Sequence, residues 1–141
     1  MERFWNWRGV KTPLETLFNS PDKFEKKFVT ADGYNSHFYE SGLQNKENLV
    51  LVHGGGIYMG MDATRSYPNV IPLGKFFHVH AVDELGHGET DPPKNFDDLW
   101  RPTIRAEHVI SLIEALGIAP VYLVGQSTGG WIVNYITIKR P

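Results

Sequence analysis

The 141-residue chain contains no cysteine. That absence excludes disulfides, a cysteine nucleophile and thiolate metal sites within these residues. It also lacks any apolar run near the roughly 18 residues that a membrane-spanning helix requires. Its first residues, MERFWNWRGVKTP, are too polar for the apolar region of a signal peptide. We therefore expect a soluble, cytoplasmic protein without a membrane partner.

A strong net charge is missing as well. Lysine and arginine total 14, aspartate and glutamate total 16, and the formal charge is -2. Such a chain has no basic field that would attract a nucleic acid, so we predict no nucleic-acid partner. Apolar residues make up 41% and charged residues 21%, which is typical of a globular domain.

Strands and helices alternate after an initial hairpin. The segment EKKFVTADGYNSHFYES predicts two antiparallel strands joined by a type I′ turn at Asp32 and Gly33. Apolar runs predict strands over 48–52, 76–83 and 120–125. Helical spacing predicts a helix over 104–116 that stops at Gly117, and a further helix follows Ser127. The order predicts an α/β fold with a mostly parallel sheet, an N-terminal antiparallel hairpin and flanking helices.

The last predicted strand, VYLV, has no charge, proline or other feature that protects the edge of a sheet. Its composition suits a central strand with further strands beyond it. We therefore expect residues 28–141 to be the N-terminal part of a larger domain, preceded by an N-terminal extension over 1–27. An open edge of this kind also allows for a homo-oligomer.

One serine has the surroundings of a nucleophile. In YLVGQSTGGW, Ser127 lies between Gly125 and Gly129, after a buried-type strand and before a predicted helix. A nucleophile elbow needs this order, because the strained turn brings other backbone so close that side chains at both flanking positions would clash. The following helix directs its N-terminus at the serine, which favours developing negative charge.

A second glycine-rich segment, HGGG at 53–56, directly follows a predicted strand. Glycines let backbone N–H groups approach a substrate closely and hold the oxyanion that forms during acyl transfer. The segment lacks the lysine of a phosphate-binding P-loop and the spacing of a dinucleotide fingerprint. His53 is interpreted as a residue that orients this loop by hydrogen bonding.

The remaining histidines offer two alternatives. His78 and His80 share one face of a strand and, with Asp83 and His87, form a weak metal-site pattern. His87 with Asp83 or Asp91 is a candidate internal base for the serine, although a polar turn residue is the simpler interpretation. The spacing matches no familiar zinc hydrolase motif, so we predict no metal ion.

Together, LVHGGG, VDELGHGETDPP, EALGI and LVGQSTGGW resemble the N-terminal half of the α/β-hydrolase superfamily. The resemblance implies an incomplete α/β-hydrolase fold with Ser127 as nucleophile and no cofactor. It implies the N–H of Thr128 and of Gly54 or Gly55 as oxyanion donors. In this superfamily the acid and the histidine follow the serine in chain order.

Within the superfamily the motifs look most like the hydrolases of meta-cleavage products, which cut a carbon–carbon bond beside a ketone in a small-molecule substrate. Gln126 and Thr128 stand where those enzymes commonly have asparagine and methionine, at positions that line the site. Gln126 is therefore a predicted substrate-binding residue. A carboxylesterase or lactonase remains an alternative, as does a non-enzymatic module on the same fold.

Overall fold

The computed structural model describes residues 25–55 and 60–141. Most of the predicted N-terminal extension lies outside these residues, as does the last glycine of the HGGG motif. No helix in the described part of the chain has the length and apolarity needed to cross a bilayer.

The predicted hairpin is confirmed. Strand β1, Glu25–Ala31, pairs antiparallel with β2, Tyr34–Ser41. The two residues between them, Asp32 and Gly33, have φ values of 49° and 76°. Both positions of a type I′ turn require positive φ, which aspartate tolerates and glycine adopts at no steric cost.

The other elements follow in the predicted alternation. They are strand β3, Asn48–Val52; helix α1, Tyr67–Leu73; strand β4, His78–Val82; helix α2, Pro102–Leu116; strand β5, Val121–Gly125; and helix α3, Thr128–Lys139. The sheet order is β1-β2-β4-β3-β5. β3 runs parallel to both β4 and β5, whereas β2 pairs antiparallel with β4, so the sheet is mixed.

Alternate residues of the strands supply two apolar cores. Val50, Val52 and Val82 point to the face covered by α2 and α3, where they pack with residues such as Val109 and Ile132. Leu49, Leu51 and Val79 point to the other face and pack with Ala63 and with Val70 of α1. The result is a three-layer α/β/α arrangement, which explains why β3 and β4 read as continuous apolar runs.

Two local predictions need correction. The strand predicted over 76–83 begins only at His78, because the N–H groups of Phe76 and Phe77 both donate to the carbonyl of Leu73 at 2.9 Å. These residues therefore belong to the turn that follows helix α1 instead of extending the strand. Helix α1 itself was not predicted, since Pro68 and Pro72 interrupt the helical signal in so short a segment.

The two edges of the sheet differ in composition. β1 presents Lys26 and Lys27, which form ion pairs with Glu89 and Glu25. β5 exposes Tyr122 and Val124 by 55% and 54%. Charge on β1 is a typical protection of a sheet edge, and β5 carries none.

Candidate active site

The loops that follow β3, β4 and β5 meet at one edge of the sheet. The strand registers pair Val52 with both Val82 and Gly125, so the three parallel strands end level with one another. The residues directly after them are His53, Asp83 and Gln126. Open α/β sheets bind ligands outside the carboxyl ends of their strands, so this edge is the candidate active site.

Ser127 occupies a strained turn between β5 and α3. Its φ of 53° and ψ of -120° lie outside the conformations that residues with a Cβ ordinarily adopt. The turn is held by hydrogen bonds from the N–H of Gly129 to the carbonyl of Gln126, at 2.8 Å, and from the N–H of Gly130 to that of Ser127, at 2.9 Å. Ser127 is exposed. Such strain costs on the order of 1–3 kcal/mol and concentrates at functional sites.

The two glycines that flank the serine are required by close backbone contact. A Cβ on Gly125 would lie 2.2 Å from the carbonyl oxygen of Gly129. A Cβ on Gly129 would lie 2.3 Å from the carbonyl oxygen of His53. The structure therefore has the close approach that the Gly-x-Ser-x-Gly pattern predicts.

The glycine-rich loop after β3 lies directly against this turn. A Cβ on Gly54 would be 2.5 Å from the carbonyl oxygen of Gln126 and 2.8 Å from the Cβ of Ser127. Gly55 has a φ of 111°, which strongly favours glycine. Two glycine-dependent segments, distant in sequence, thus meet at the side chain of Ser127.

Thr128 connects the two segments. The N–H of Gly55 donates to Thr128 Oγ1 at 2.8 Å, and Thr128 Oγ1 donates to the carbonyl of Gly55 at 3.1 Å. Thr128 is also the first residue of α3, where backbone N–H groups have no intrahelical acceptor. The threonine hydroxyl thereby fixes the glycine loop, and its own N–H is directed outward from the helix end.

Beneath the loop lies a buried polar layer. His53 Nδ1 contacts the carbonyl of Gly54 at 3.2 Å, and its Nε2 accepts from the N–H of Glu84 at 3.4 Å. These contacts suit a residue that orients the loop. The rings of His53 and His87 are 5.3 Å apart between centroids. Burial lowers the pKa of both histidines, which keeps the imidazoles neutral.

Glu84 and Arg105 complete this layer, and neither is predicted from the sequence. Arg105 Nη1 lies 2.9 Å from Glu84 Oε2, but the angle is unfavourable for a hydrogen bond. The same Nη1 donates to the carbonyl of Gly55 at 3.4 Å. Burial raises the pKa of Glu84 to about 7, although Arg105 opposes the shift. The available signal was a charge on the apolar stripe of α2, since Arg105 precedes Val109 by one helical turn.

The described residues do not assemble an internal triad. Asp83 Oδ2 lies 2.7 Å from His37 Nδ1, and Asp91 accepts from the N–H of Asn35 at 2.7 Å. Burial disfavours ionisation of Asp83, but hydrogen bonds from His37 and two backbone N–H groups hold its pKa below the ordinary value. His87 contacts the carbonyl of Leu85 at 3.1 Å. Neither carboxylate is therefore paired with His87.

His78 and His80 lie at the other end of β4. Because Asp83 and His87 follow the carboxyl end of this strand, the four-residue metal-site pattern considered from the sequence does not come together. Glu40 joins the two histidines instead, with its Oε1 2.7 Å from His78 Nε2. Burial, with a smaller effect of His78, lowers the pKa of His80 to about 4.

Gln126 is exposed at the start of the elbow. Its N–H donates to the carbonyl of Val52 at 3.1 Å, so its backbone belongs to the turn. Its side chain lines a surface hollow together with Arg65 and Asn69. Contact between Gln126 and a substrate stays a prediction.

The sequence profile of the alpha/beta hydrolase family matches residues 49–138. Among curated proteins, the 2-hydroxymuconate semialdehyde hydrolase of Pseudomonas sp. (strain CF600) is 31% identical over 124 residues, which cover 87% of this chain and 41% of that protein. The (E)-2-((N-methylformamido)methylene)succinate hydrolase of Acinetobacter baylyi is 29% identical over 119 residues, with coverage of 82% and 41%. The chain thus spans about two fifths of the length of these relatives.

A solved structure gives the same result for the fold. The meta-cleavage product hydrolase of Pseudomonas fluorescens IP01 superimposes with a TM-score of 0.71 and 29% sequence identity. The superposition covers 81% of this chain and 40% of that enzyme. Both glycine-rich segments, at 53–55 and 125–130, fall within the residues that the family profile matches.

Proposed function

The chain belongs to the alpha/beta hydrolase family, and we propose that it carries the nucleophile and oxyanion hole of a serine hydrolase that cleaves a carbon–carbon bond beside a ketone. One observation carries the proposal. Ser127 is exposed and has a strained backbone. Each of the three glycines around it, Gly54, Gly125 and Gly129, lies so close to other backbone that a Cβ there would clash. A turn that only changed chain direction would not need an exposed serine with this backbone strain.

In the proposed reaction, Ser127 Oγ attacks the substrate carbonyl carbon and its proton passes to a general base. The oxyanion is stabilised by the N–H of Thr128 and by the Gly54–Gly55 loop. The N–H of Gly55 is engaged by Thr128 Oγ1 in the structure, so it becomes a donor only when that hydroxyl turns away. Each such donor typically contributes about 10²–10³ in rate.

Collapse of the oxyanion breaks the carbon–carbon bond, and the departing carbon takes up a proton. Water then hydrolyses the acyl-enzyme ester, releasing a carboxylic acid and restoring the Ser127 hydroxyl. The reaction needs a base within hydrogen-bond distance of Ser127. No histidine among the described residues makes that contact: His53 contacts the carbonyl of Gly54 and His87 that of Leu85. The proposal assigns the acid and the base to residues outside these 141.

The choice of substrate is supported by the relatives. Two of them are named hydrolases of 2-hydroxymuconate semialdehyde and of 2-hydroxy-6-oxo-2,4-heptadienoate, at 31% and 30% identity. Thr128 and Gln126, which differ from the residues common in meta-cleavage product hydrolases, adjoin the nucleophile. Because these two residues differ, an ester substrate is tested as well.

The test compares kcat/KM for a meta-cleavage product and a short-chain aryl ester, using protein expressed from the whole coding sequence. We expect the meta-cleavage product to be preferred and Ser127→Ala to lose roughly 10⁴-fold or more in kcat. Ser111→Ala is the matched control, because Ser111 lies within helix α2, outside the loops that follow β3, β4 and β5. A preference for the ester above tenfold supports a carboxylesterase. No turnover of either substrate by folded protein supports a non-enzymatic module.

A further inference from the structure

A second group of polar side chains lies at the amino end of β4, away from Ser127. In the antiparallel register of β2 and β4, Glu40 is directly opposite His80. His78 is two residues from His80 and therefore projects from the same face of the sheet. This end and the Ser127 end are separated by the five-residue length of the strand, roughly 15 Å.

The three side chains are close enough to share an ion. One potential ligand atom from each of Glu40, His78 and His80 lies within 4.8 Å of the others. The two imidazole rings have centroids 4.3 Å apart, and His78 Nε2 is 2.7 Å from Glu40 Oε1. Ligand atoms at about 2.0–2.2 Å from a tetrahedral ion are about 3.4 Å apart. Binding of an ion therefore requires the 2.7 Å His78–Glu40 hydrogen bond to open and the three side chains to rotate to that spacing.

An ordinary Glu40–His78 ion pair does not account for His80. His80 is 1% exposed, and its Nδ1 has no hydrogen-bond partner among the described residues. Its Nε2 has only a long contact, 3.4 Å, with Asn48 Oδ1. A buried polar atom without a partner is destabilising, and an apolar side chain would fill this position on the core face at lower cost. Both nitrogens of His80 are thus free of strong hydrogen bonds.

The outer two ligands are accessible. The side chains of His78 and Glu40 are 20% and 14% exposed, so an ion can enter from solvent and a water molecule can complete the coordination. Asn48, on the neighbouring strand β3, is held by a 2.8 Å hydrogen bond from its Nδ2 to the carbonyl of Ile118. Its Oδ1 therefore has a fixed position beside His80.

We propose that Glu40, His78 and His80 bind one Zn²⁺ ion at the amino end of the sheet. Two imidazoles and one carboxylate are a ligand set that zinc commonly takes, with water in the fourth position. The ion joins β2 to β4, and Asn48 brings β3 into contact with the same site. Its effect is to stabilise the antiparallel attachment of the hairpin to the parallel strands, independently of chemistry at Ser127.

The test uses untagged, metal-stripped protein expressed from the whole coding sequence, because a histidine tag would itself bind zinc. A competitive titration against a chelating dye is expected to show one saturable zinc equivalent. Zinc is expected to raise Tm, since an ion that binds only the folded state stabilises it. Cobalt at the same site is expected to give the intense visible absorption of a tetrahedral complex.

Variants locate the site. His78→Gln and Glu40→Gln change partly exposed side chains and are expected to weaken zinc binding by more than the roughly 10–100-fold typical of losing an outer partner. Glu114→Gln, on the exposed face of α2, and His87→Gln, at the carboxyl end, are matched controls that should bind as the unchanged chain does. Absence of saturable binding, equal affinity in His78→Gln, or loss of binding in His87→Gln would each overturn the proposal.

Discussion

At the carboxyl ends of β3, β4 and β5 the tightest contacts join backbone atoms at glycines, whereas at the amino end of β4 they join side chains. Around Ser127, a Cβ on Gly54, Gly125 or Gly129 would meet other backbone atoms within 2.5 Å. At the other end, Glu40, His78 and His80 meet through carboxylate and imidazole groups. Adding a Cβ to one of these glycines should therefore disrupt the structure around Ser127. At the other end, removing a carboxylate or an imidazole should have the larger effect.

This difference has a physical basis. Developing negative charge on a substrate is best held by fixed N–H groups, and only glycine lets the main chain approach closely enough. A cation is held by side-chain lone pairs, which the amino end supplies. If both proposals hold, the same sheet presents backbone donors at one end and side-chain acceptors at the other.

The largest expected effect comes from a substitution that disrupts the backbone contact beside Ser127. Gly129→Ala should lower the free energy of unfolding by about 3 kcal/mol or more, because its Cβ would lie 2.3 Å from the carbonyl oxygen of His53 and 2.4 Å from that of Val52. Gly130→Ala is the matched control, since its Cβ has no atom nearer than 3.4 Å. A helical glycine replaced by alanine typically gains about 0.5–1 kcal/mol. Denaturant unfolding measures both, and equal values for the two variants would contradict the account of the elbow.

A smaller effect is expected on the pH dependence of stability, from the buried Glu84 at the carboxyl ends of the strands. Burial raises the pKa of Glu84 from 4.5 to about 7, so between these values the folded state binds more protons than the unfolded state. Stability contributed by the protonated carboxyl is therefore lost as pH rises through this window. Relative to Glu84→Gln, the unchanged protein should lose about 2 kcal/mol between pH 5 and 7.5.

The comparison with Glu84→Gln is needed because buried histidines act in the opposite direction. Burial lowers the pKa of His80 and His108 to about 4, so their contribution to stability is lost as pH falls from 6.5 towards 4. Those contributions cancel in the difference between the two proteins. Urea unfolding measures both proteins across this pH range. If the difference in unfolding free energy between the unchanged protein and Glu84→Gln does not vary with pH, the Glu84 carboxyl is solvated.

Much of the fold could be predicted because its signals are local. The Asp32–Gly33 turn, the apolar run at 48–52 and the stop at Gly117 each depend on neighbouring residues. Helix α1 escaped prediction because its prolines compete with the helical pattern, although Tyr67, Val70 and Ile71 are buried. The spatial order of the strands was not predicted either, because long-range packing decides that β4 lies between β2 and β3.

The same distinction between local and long-range signals applies to the functional residues. Gly-x-Ser-x-Gly and HGGG are local patterns, so the sequence alone predicts the close backbone contacts of the glycines around Ser127. The ion pair of Arg105 with Glu84 joins residues on different elements and only becomes visible in the folded chain. Glu40 was likewise missed beside His78 and His80, because its position depends on the register of β2 against β4.

Covalent labelling tests the central claim, that Ser127 is the nucleophile, most directly. Protein expressed from the whole coding sequence is treated with a fluorophosphonate probe, and the modified residue is located by peptide mass spectrometry. The account predicts labelling at Ser127, its loss in Ser127→Ala and its retention in Ser111→Ala. Labelling that persists in Ser127→Ala, or a folded protein that the probe does not modify, would contradict it.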